Sequence, residues 1–206
     1  MNKIFIEAEK KETSEYHFIR TILNVFFPEK KVDFIFMDGI GNLYKEAILN
    51  QMRLAQDNGE QIILLTDADT IEKGVGFAKR KAEIDNGMNA HSLSFPYFIY
   101  PNNQDDGDVE TLMESAARRD LHPTFFDCFE DYEKCVLGAK DANGNPLYNT
   151  PNLKGKLHTY ISSQQLTKKQ RDKLDSGNWL FNNPNYWDLN VNTLQSLKDF
   201  LKQNLK

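Results

Sequence analysis

The chain of 206 residues is long enough to form one domain with a good core, alone or with an extension. Its composition, with 40% hydrophobic and 27% charged residues, is globular and excludes a low-complexity protein. The formal net charge of -5 is unusual for a nucleic-acid-binding protein, but residues 151–206 carry nine Lys or Arg against four Asp or Glu. This distribution is compatible with metal-binding carboxylates in one region and phosphate contacts from another, or with chance unevenness on a solvated surface.

The sequence also bears on the cellular compartment. No apolar stretch approaches the ~20 residues that a membrane-spanning helix needs, so we expect no membrane association. Glu7 interrupts the apolar start of the chain where a signal peptide would continue. Cys128 and Cys135 have no metal-binding or redox spacing, which favours reduced structural cysteines. We therefore expect a cytoplasmic protein.

Apolar runs alternate with helical patterns through the first 120 residues. The predicted strands cover residues 3–7, 32–37, 61–66 and 95–100. The predicted helices cover residues 14–26, 43–57, 71–84 and 108–118, with Asn86-Gly87 as the stop signal of the third. Alternating strands and helices predict a Rossmann-like α/β fold, with a mostly parallel four-stranded sheet and helices on both faces.

The rest of the chain has a helical pattern. The predicted helices cover residues 123–137, two stretches within 154–174, and 191–205, where Leu194, Leu197 and Leu201 share one face. No linker-like composition separates this part from the first. We therefore expect an α/β core over residues 1–120 and a helical extension over residues 121–206, packed on the core.

The most informative motif follows the third predicted strand. The unbroken apolar run of residues 62–65 is typical of a strand buried on both faces, and Asp67 and Asp69 follow it. Open α/β sheets bind their ligands at this end of their strands. Two carboxylates held together repel each other unless a cation lies between them, and Mg²⁺ prefers oxygen ligands. The motif predicts a divalent-metal site, the alternative being a helix cap or a solvated turn.

A wider pattern resembles a known family. Glu7 ends the first strand, Gly39 and Gly41 follow the second, and Asp67-Ala68-Asp69 follows the third. This order resembles the Toprim domain of topoisomerases, primases, recombination proteins and nucleases of the overcoming-lysogenization-defect (OLD) family. The resemblance covers residues 3–118. The last part of the chain is similar to that of small stand-alone Toprim proteins related to those nucleases, in the segments at 153–160, 187–188 and 197–201.

The resemblance implies a set of site residues. Glu7 would act as a general acid or base or join the metal ligands. Asp67 and Asp69 would bind Mg²⁺, or Mn²⁺ in its place. A lysine near the phosphate would be Lys154 or Lys156.

Two further acidic ligands are implied by the OLD-type nucleases. The first, shortly after Glu7, would be Glu15, although the long loop also offers Glu9 and Glu12, and Ala8 replaces the usual glycine. The second, after the fourth strand, would be Glu110.

Three functions remain open at this stage. The first is a Mg²⁺-dependent nuclease acting on DNA or RNA. The second is a non-catalytic Toprim module that binds a nucleotide, a nucleic acid or a partner protein, with any ATPase supplied by a separate chain; homo-oligomerisation is also left open. The third is a transferase whose Asp-x-Asp motif binds a sugar nucleotide. Trp179, Tyr186 and Trp187 would either stack bases or anchor their loop in the core.

Overall fold

The computed structural model describes Met1–Lys206 and contains one parallel sheet of four strands. The strands are β1 (Asn2–Ile6), β2 (Val32–Phe36), β3 (Gln61–Asp67) and β4 (Tyr97–Tyr100). Their order in the sheet is β2-β1-β3-β4, and all three pairings are parallel. The predicted α/β class is therefore confirmed. The central strands β1 and β3 are buried at four of five and five of seven positions, because both of their faces are covered, whereas the edge strand β2 is buried only at Phe34.

Eight α-helices surround the sheet. They are α1 (Ser14–Phe26), α2 (Glu46–Asp57), α3 (Phe77–His91), α4 (Val109–Ala116), α5 (Pro123–Gly138), α6 (Leu153–Ser162), α7 (Lys168–Leu174) and α8 (Gln195–Asn204). Short 3-10 turns precede α2, α3 and α8. None of these helices combines the length and the apolar character that crossing a bilayer requires.

The helices cover both faces of the sheet, as the sequence predicts. Alternate side chains of β1 point to opposite faces: Phe5 packs with α2 and α3 in a cluster of 14 buried residues. Ile4 and Ile6 point the other way, into a cluster of 32 buried residues that includes α1, α4, α6 and α8. Leu194, Leu197 and Leu201 lie fully buried in this larger cluster. The helices after residue 121 therefore pack on the same face as α1 and α4.

The predicted end of the third helix is wrong. Asn86-Gly87 does not stop α3, which continues to His91. A Cβ atom at Gly87 would lie 2.0 Å from the ring of Tyr44, and the Tyr44 hydroxyl donates to the carbonyl of Ile84 at 2.6 Å. Gly87 therefore makes room for a packed aromatic ring within the helix.

The aromatic loop between α7 and α8 is an anchor in the core. Trp179 and Trp187 are 4% and 2% exposed, and the indole N–H of Trp187 donates to the carbonyl of Trp179 at 2.8 Å. Both indoles are therefore inaccessible to a nucleic-acid base.

On α5, Cys128 and Cys135 are both free and exposed.

Candidate metal site

Four acidic residues lie at the carboxyl edge of the sheet. Glu7 follows β1 directly, and Asp67 is the last residue of β3. Glu15 lies in the first turn of α1, and Glu110 lies in the first turn of α4. Because parallel strands end at the same edge, the acids that end or follow β1, β3 and β4 come together there.

Backbone hydrogen bonds connect the four acids. Glu15 Oε2 accepts the N–H of Ala8 at 3.0 Å, next to Glu7. Glu7 Oε1 accepts the N–H of Asp67 at 2.8 Å, and Asp67 Oδ1 accepts the N–H of Val109 at 2.8 Å, next to Glu110. In each case a carboxylate accepts a hydrogen bond from the backbone of another acidic residue or of that residue's neighbour in sequence. We call Glu7, Glu15, Asp67 and Glu110 the carboxylate cluster.

The loop before α1 shows which of its three acids reaches this cluster. Glu9 and Glu12 are exposed, whereas Glu15 is 8% exposed. The side chain of Thr13 caps α1 by accepting the N–H of Tyr16 at 3.3 Å, which starts the helix early enough to turn Glu15 inward. Glu15 is therefore the acid that enters the carboxylate cluster.

The turn after β2 supports Glu7 from the other side. Gly39 donates its N–H to the backbone carbonyl of Glu7 at 2.8 Å, and Asp38 donates to that of Ala8 at 3.3 Å. Gly39 has φ +93°, a conformation that side-chain-bearing residues rarely adopt. The glycine after the second strand thus holds the backbone of the first acidic residue.

The cluster concentrates negative charge, and Lys154, beside Glu110, is the one cation in ion-pair contact with it. Burial above all, together with the negative charges of Glu7 and Glu110 and against the opposing N–H of Ala8, raises the pKa of Glu15 to about 8. Burial also raises the pKa of Asp67 well above its usual range, assisted by the negative charges of Glu7, Glu15 and Glu110. A cation at this position would relieve the repulsion.

Four buried side-chain oxygen atoms of the protein have no hydrogen-bond partner, and two of them are Glu15 Oε1 and the hydroxyl of Tyr100, which is fully buried. Tyr100 lies beside Asp67 in the β3–β4 register. Burial first, and then the charges of Glu15 and Asp67, raise the pKa of Tyr100 well above its usual range. Tyr100 is not among the residues predicted from sequence, although its place at the end of the fourth strand was the available signal.

Asp69 stands apart from the carboxylate cluster. Its φ is +59°, and its backbone pairs with Gly107 through two hydrogen bonds of 2.8 and 2.9 Å. The carboxylate contacts Lys73 Nζ at 3.0 Å and Arg80 Nη2 at 3.2 Å. The two acids of the Asp-x-Asp motif therefore point to different partners, and Asp69 is already neutralised.

The two candidate lysines also separate. Lys154 Nζ lies 2.9 Å from Glu110 Oε1, and the Lys154 side chain is 56% exposed. Lys156 Nζ lies 2.8 Å from Glu114 Oε1 and sits over the ring of Phe126. Lys154 therefore borders the carboxylate cluster, whereas Lys156 links α6 to α4.

The chemistry of these residues suits a hard divalent cation, with one qualification. All four side chains offer oxygen, and one oxygen of Glu15 is unpartnered. No three His, Cys, Asp or Glu side chains are arranged to hold an ion together. Mg²⁺, however, is usually held by one or two carboxylates and completes its shell with water and substrate oxygens. A site of one or two carboxylates fits these residues.

Comparison with known proteins yields a family without an assigned activity. A family model described as "Protein of unknown function (DUF3226)" matches residues 12–206, so the chain belongs to that family. The matched residues include Glu15, Asp67 and Glu110, and Glu7 lies before them. No curated protein and no solved structure matches the chain.

Proposed function

We propose that this member of the DUF3226 family is a divalent-cation-dependent phosphodiesterase, a nuclease that uses Mg²⁺ or Mn²⁺ to cut DNA or RNA. The observation that carries the proposal is the carboxylate cluster, in which burial and mutual repulsion raise the pKa values of Glu15 and Asp67. The resemblance to Toprim nucleases assigns the same positions to metal binding. The raised pKa values and the resemblance thus concern residues at the same place, the carboxyl edge of the sheet.

Glu7 and Asp67 are the carboxylates that we assign to the cation. They are partly exposed, whereas Glu15 and Glu110 lie deeper. A bound Mg²⁺ would supply charge neutralisation and would stabilise the negative charge that develops on the phosphate oxygens. The unpartnered Oε1 atom of Glu15 would then gain a water molecule or the cation as its neighbour.

The residues around the cation would handle the proton and the remaining charge. Glu7 is partly exposed and would accept a proton from the attacking water. Lys154 contacts Glu110 while more than half of its side chain stays in solvent. It can therefore turn toward a phosphate and offset the negative charge of the transition state.

A second candidate is a binding-only module, and the ion pairs of Asp69 favour it. An acid already neutralised by Lys73 and Arg80 adds nothing to cation binding. Such a module would bind nucleotide, nucleic acid or a partner protein and would leave any ATP hydrolysis to another chain. The same ion pairs weigh against a sugar-nucleotide transferase, whose Asp-x-Asp acids would have to share one cation.

Nicking of supercoiled plasmid DNA, with a labelled RNA in parallel, tests the proposal. We expect cleavage that needs Mg²⁺ or Mn²⁺ and that falls at least a hundredfold in Asp67→Asn and Glu7→Gln. Glu114→Gln is the control, because Glu114 lies outside the carboxylate cluster and pairs with Lys156. Clean wild-type protein that binds Mg²⁺ but cuts neither DNA nor RNA would favour the binding-only module.

A further inference from the structure

The short helix α7 carries an unusual concentration of free positive charge. Four of its seven residues are exposed cations, and none of them has an ion-pair partner within 4.0 Å. Asp172 is the one acid within the helix, and Asp175 follows it. The cations are Lys168, Lys169, Arg171 and Lys173. Because a helix rises about 1.5 Å per residue, they lie within about 10 Å along its axis.

The helix is held firmly in place. The hydroxyl of Thr167 accepts the N–H of Gln170, and the side chain of Gln170 reaches back to the N–H of Thr167 at 2.9 Å. At the other end, Leu174 is buried in the larger hydrophobic cluster. The cations are therefore presented on a fixed surface and not on a free loop.

The carboxyl end of α7 is attached beside the carboxylate cluster. Gly177 has φ +75°, and a Cβ atom there would lie 2.5 Å from the carbonyl carbon of Thr13. The backbone after α7 thus touches the residue that caps α1. Glu15 lies two residues beyond Thr13, so the segment that follows α7 contacts the end of α1 that carries this acid.

This placement answers a problem of electrostatics. A buried group of carboxylates repels a phosphate chain, whatever cation it binds locally. A fixed set of exposed lysines and arginines nearby attracts a polyanion and releases its counterions. The indoles of Trp179 and Trp187 are buried, so the neighbouring loop offers no indole for stacking bases.

We propose that α7 is a phosphate-binding surface that holds the backbone of DNA or RNA, without sequence preference, beside the carboxylate cluster. The inference rests on the proposed function, because it names how the substrate of that site is bound. It also makes a separate claim, since binding of the backbone does not require cleavage.

A second basic region provides a stringent comparison. Lys31, Lys202 and Lys206 are exposed and free of ion pairs, but Lys31 immediately precedes β2 and so lies at the opposite edge of the sheet. Phosphate attraction by charge alone would use both regions equally. The proposal predicts that only the cations of α7 matter.

The test measures binding of a labelled DNA duplex and a labelled single-stranded RNA by fluorescence anisotropy, in EDTA, over a range of salt concentrations. The first variant carries Lys169→Gln, Arg171→Gln and Lys173→Gln; the control carries Lys31→Gln, Lys202→Gln and Lys206→Gln. Glutamine has a helix propensity close to that of lysine and arginine, so α7 should remain folded. We expect at least a tenfold loss of affinity in the first variant and less than a threefold loss in the control. The slope of log K against log salt should flatten by up to about 2.7 for DNA.

Hydrolysis of a small phosphodiester, bis-p-nitrophenyl phosphate, separates the two proposals. The α7 variant should retain wild-type activity on this substrate, because it leaves the carboxylate cluster intact. Loss of nucleic-acid binding in the α7 variant alone supports the surface, even where wild-type protein cleaves nothing. Equal losses of nucleic-acid affinity in both variants, or no nucleic-acid binding by wild-type protein, would overturn the inference about α7. Neither result would contradict hydrolysis of the small phosphodiester, which tests the proposed function.

Discussion

Glu7 Oε1 accepts the backbone N–H of Asp67 at 2.8 Å, and it also accepts the hydroxyl of Thr66. A carboxylate at the end of β1 is thus held by the last two residues of β3. The register pairs Phe5 with Leu64, which places Glu7 opposite Thr66. Since both partners are donors, the position requires an acceptor, and either a carboxylate or an amide oxygen would satisfy it.

Replacing Glu7 by glutamine should separate the hydrogen bonds that Glu7 accepts from the effect of its negative charge. Glu7→Gln keeps an oxygen that can accept both donors, so we expect a folded protein of equal or higher stability in EDTA. It removes one negative charge from the cluster, so the increase in the thermal midpoint that Mg²⁺ gives to wild-type protein should largely disappear. Thermal unfolding with and without Mg²⁺ measures both effects. A variant that unfolds in EDTA but keeps its Mg²⁺ response would contradict the assignment of Glu7 to the cation.

The raised pKa of Glu15 predicts how the stability of the metal-free protein depends on pH. In the unfolded chain this carboxyl ionises near its ordinary value of 4.5, whereas in the folded protein it stays protonated up to about 8. The folded state therefore binds more protons than the unfolded state between these pH values. The contribution of Glu15 to the free energy of unfolding is fully present below pH 4.5 and is lost as pH rises through 8. Glu15→Gln cannot ionise and should remove the part of the pH dependence that Glu15 causes, leaving the part that comes from Asp67.

Urea unfolding in EDTA at several pH values measures this difference. At pH 8 we expect Glu15→Gln to be more stable than wild-type protein by about 2–4 kcal/mol, and the gap should close toward pH 4.5. Glu12→Gln is the control, because Glu12 is exposed in the preceding loop. A parallel pH profile for wild type and Glu15→Gln would show that Glu15 ionises normally in the folded protein.

The fold was predictable because burial leaves a direct mark on sequence. The continuous apolar run of residues 62–65 indicates a strand covered on both faces, and these residues and Thr66 are all buried. Helix α1 has the predicted bounds because its apolar positions repeat at helical spacing and Thr13 supplies its cap. Both the apolar pattern and the capping residue can be read from a short stretch of sequence, which is why these elements were predictable.

The site was predictable only in part, because side-chain direction depends on backbone that the pattern does not reveal. Asp67 and Asp69 would share a side in a continued strand, but β3 ends at Asp67 and Asp69 adopts φ +59°. Arg80, from the following helix α3, then forms an ion pair with one carboxylate oxygen of Asp69. Tyr100 looks like an ordinary core residue in sequence, since nothing local shows that its buried hydroxyl feels the charges of the carboxylate cluster.

The unpartnered hydroxyl of Tyr100 predicts an unusual response to its removal. A buried hydroxyl without a hydrogen bond costs folding free energy, so Tyr100→Phe should raise the stability in EDTA by about 1 kcal/mol. Tyr160→Phe is the matched control, because the Tyr160 hydroxyl donates to the carbonyl of Tyr186 at 3.0 Å. That variant should lose about 1 kcal/mol. Urea unfolding of both variants measures the contrast, and a loss in Tyr100→Phe would reveal a hydrogen bond through a bound water.

Gly87 predicts a cost where helix propensity alone predicts a gain. Alanine is favoured over glycine in a helix interior by about 1 kcal/mol, but at Gly87 its Cβ would overlap the ring of Tyr44. Moving that ring would also break its hydrogen bond to Ile84. We therefore expect Gly87→Ala to lower the free energy of unfolding by about 1–3 kcal/mol. Gly138→Ala, at the end of α5 with nothing within 4 Å, should leave it unchanged or raise it. Chemical denaturation of the two variants decides the matter: a Gly87→Ala protein as stable as Gly138→Ala would mean that Tyr44 does not pack on α3.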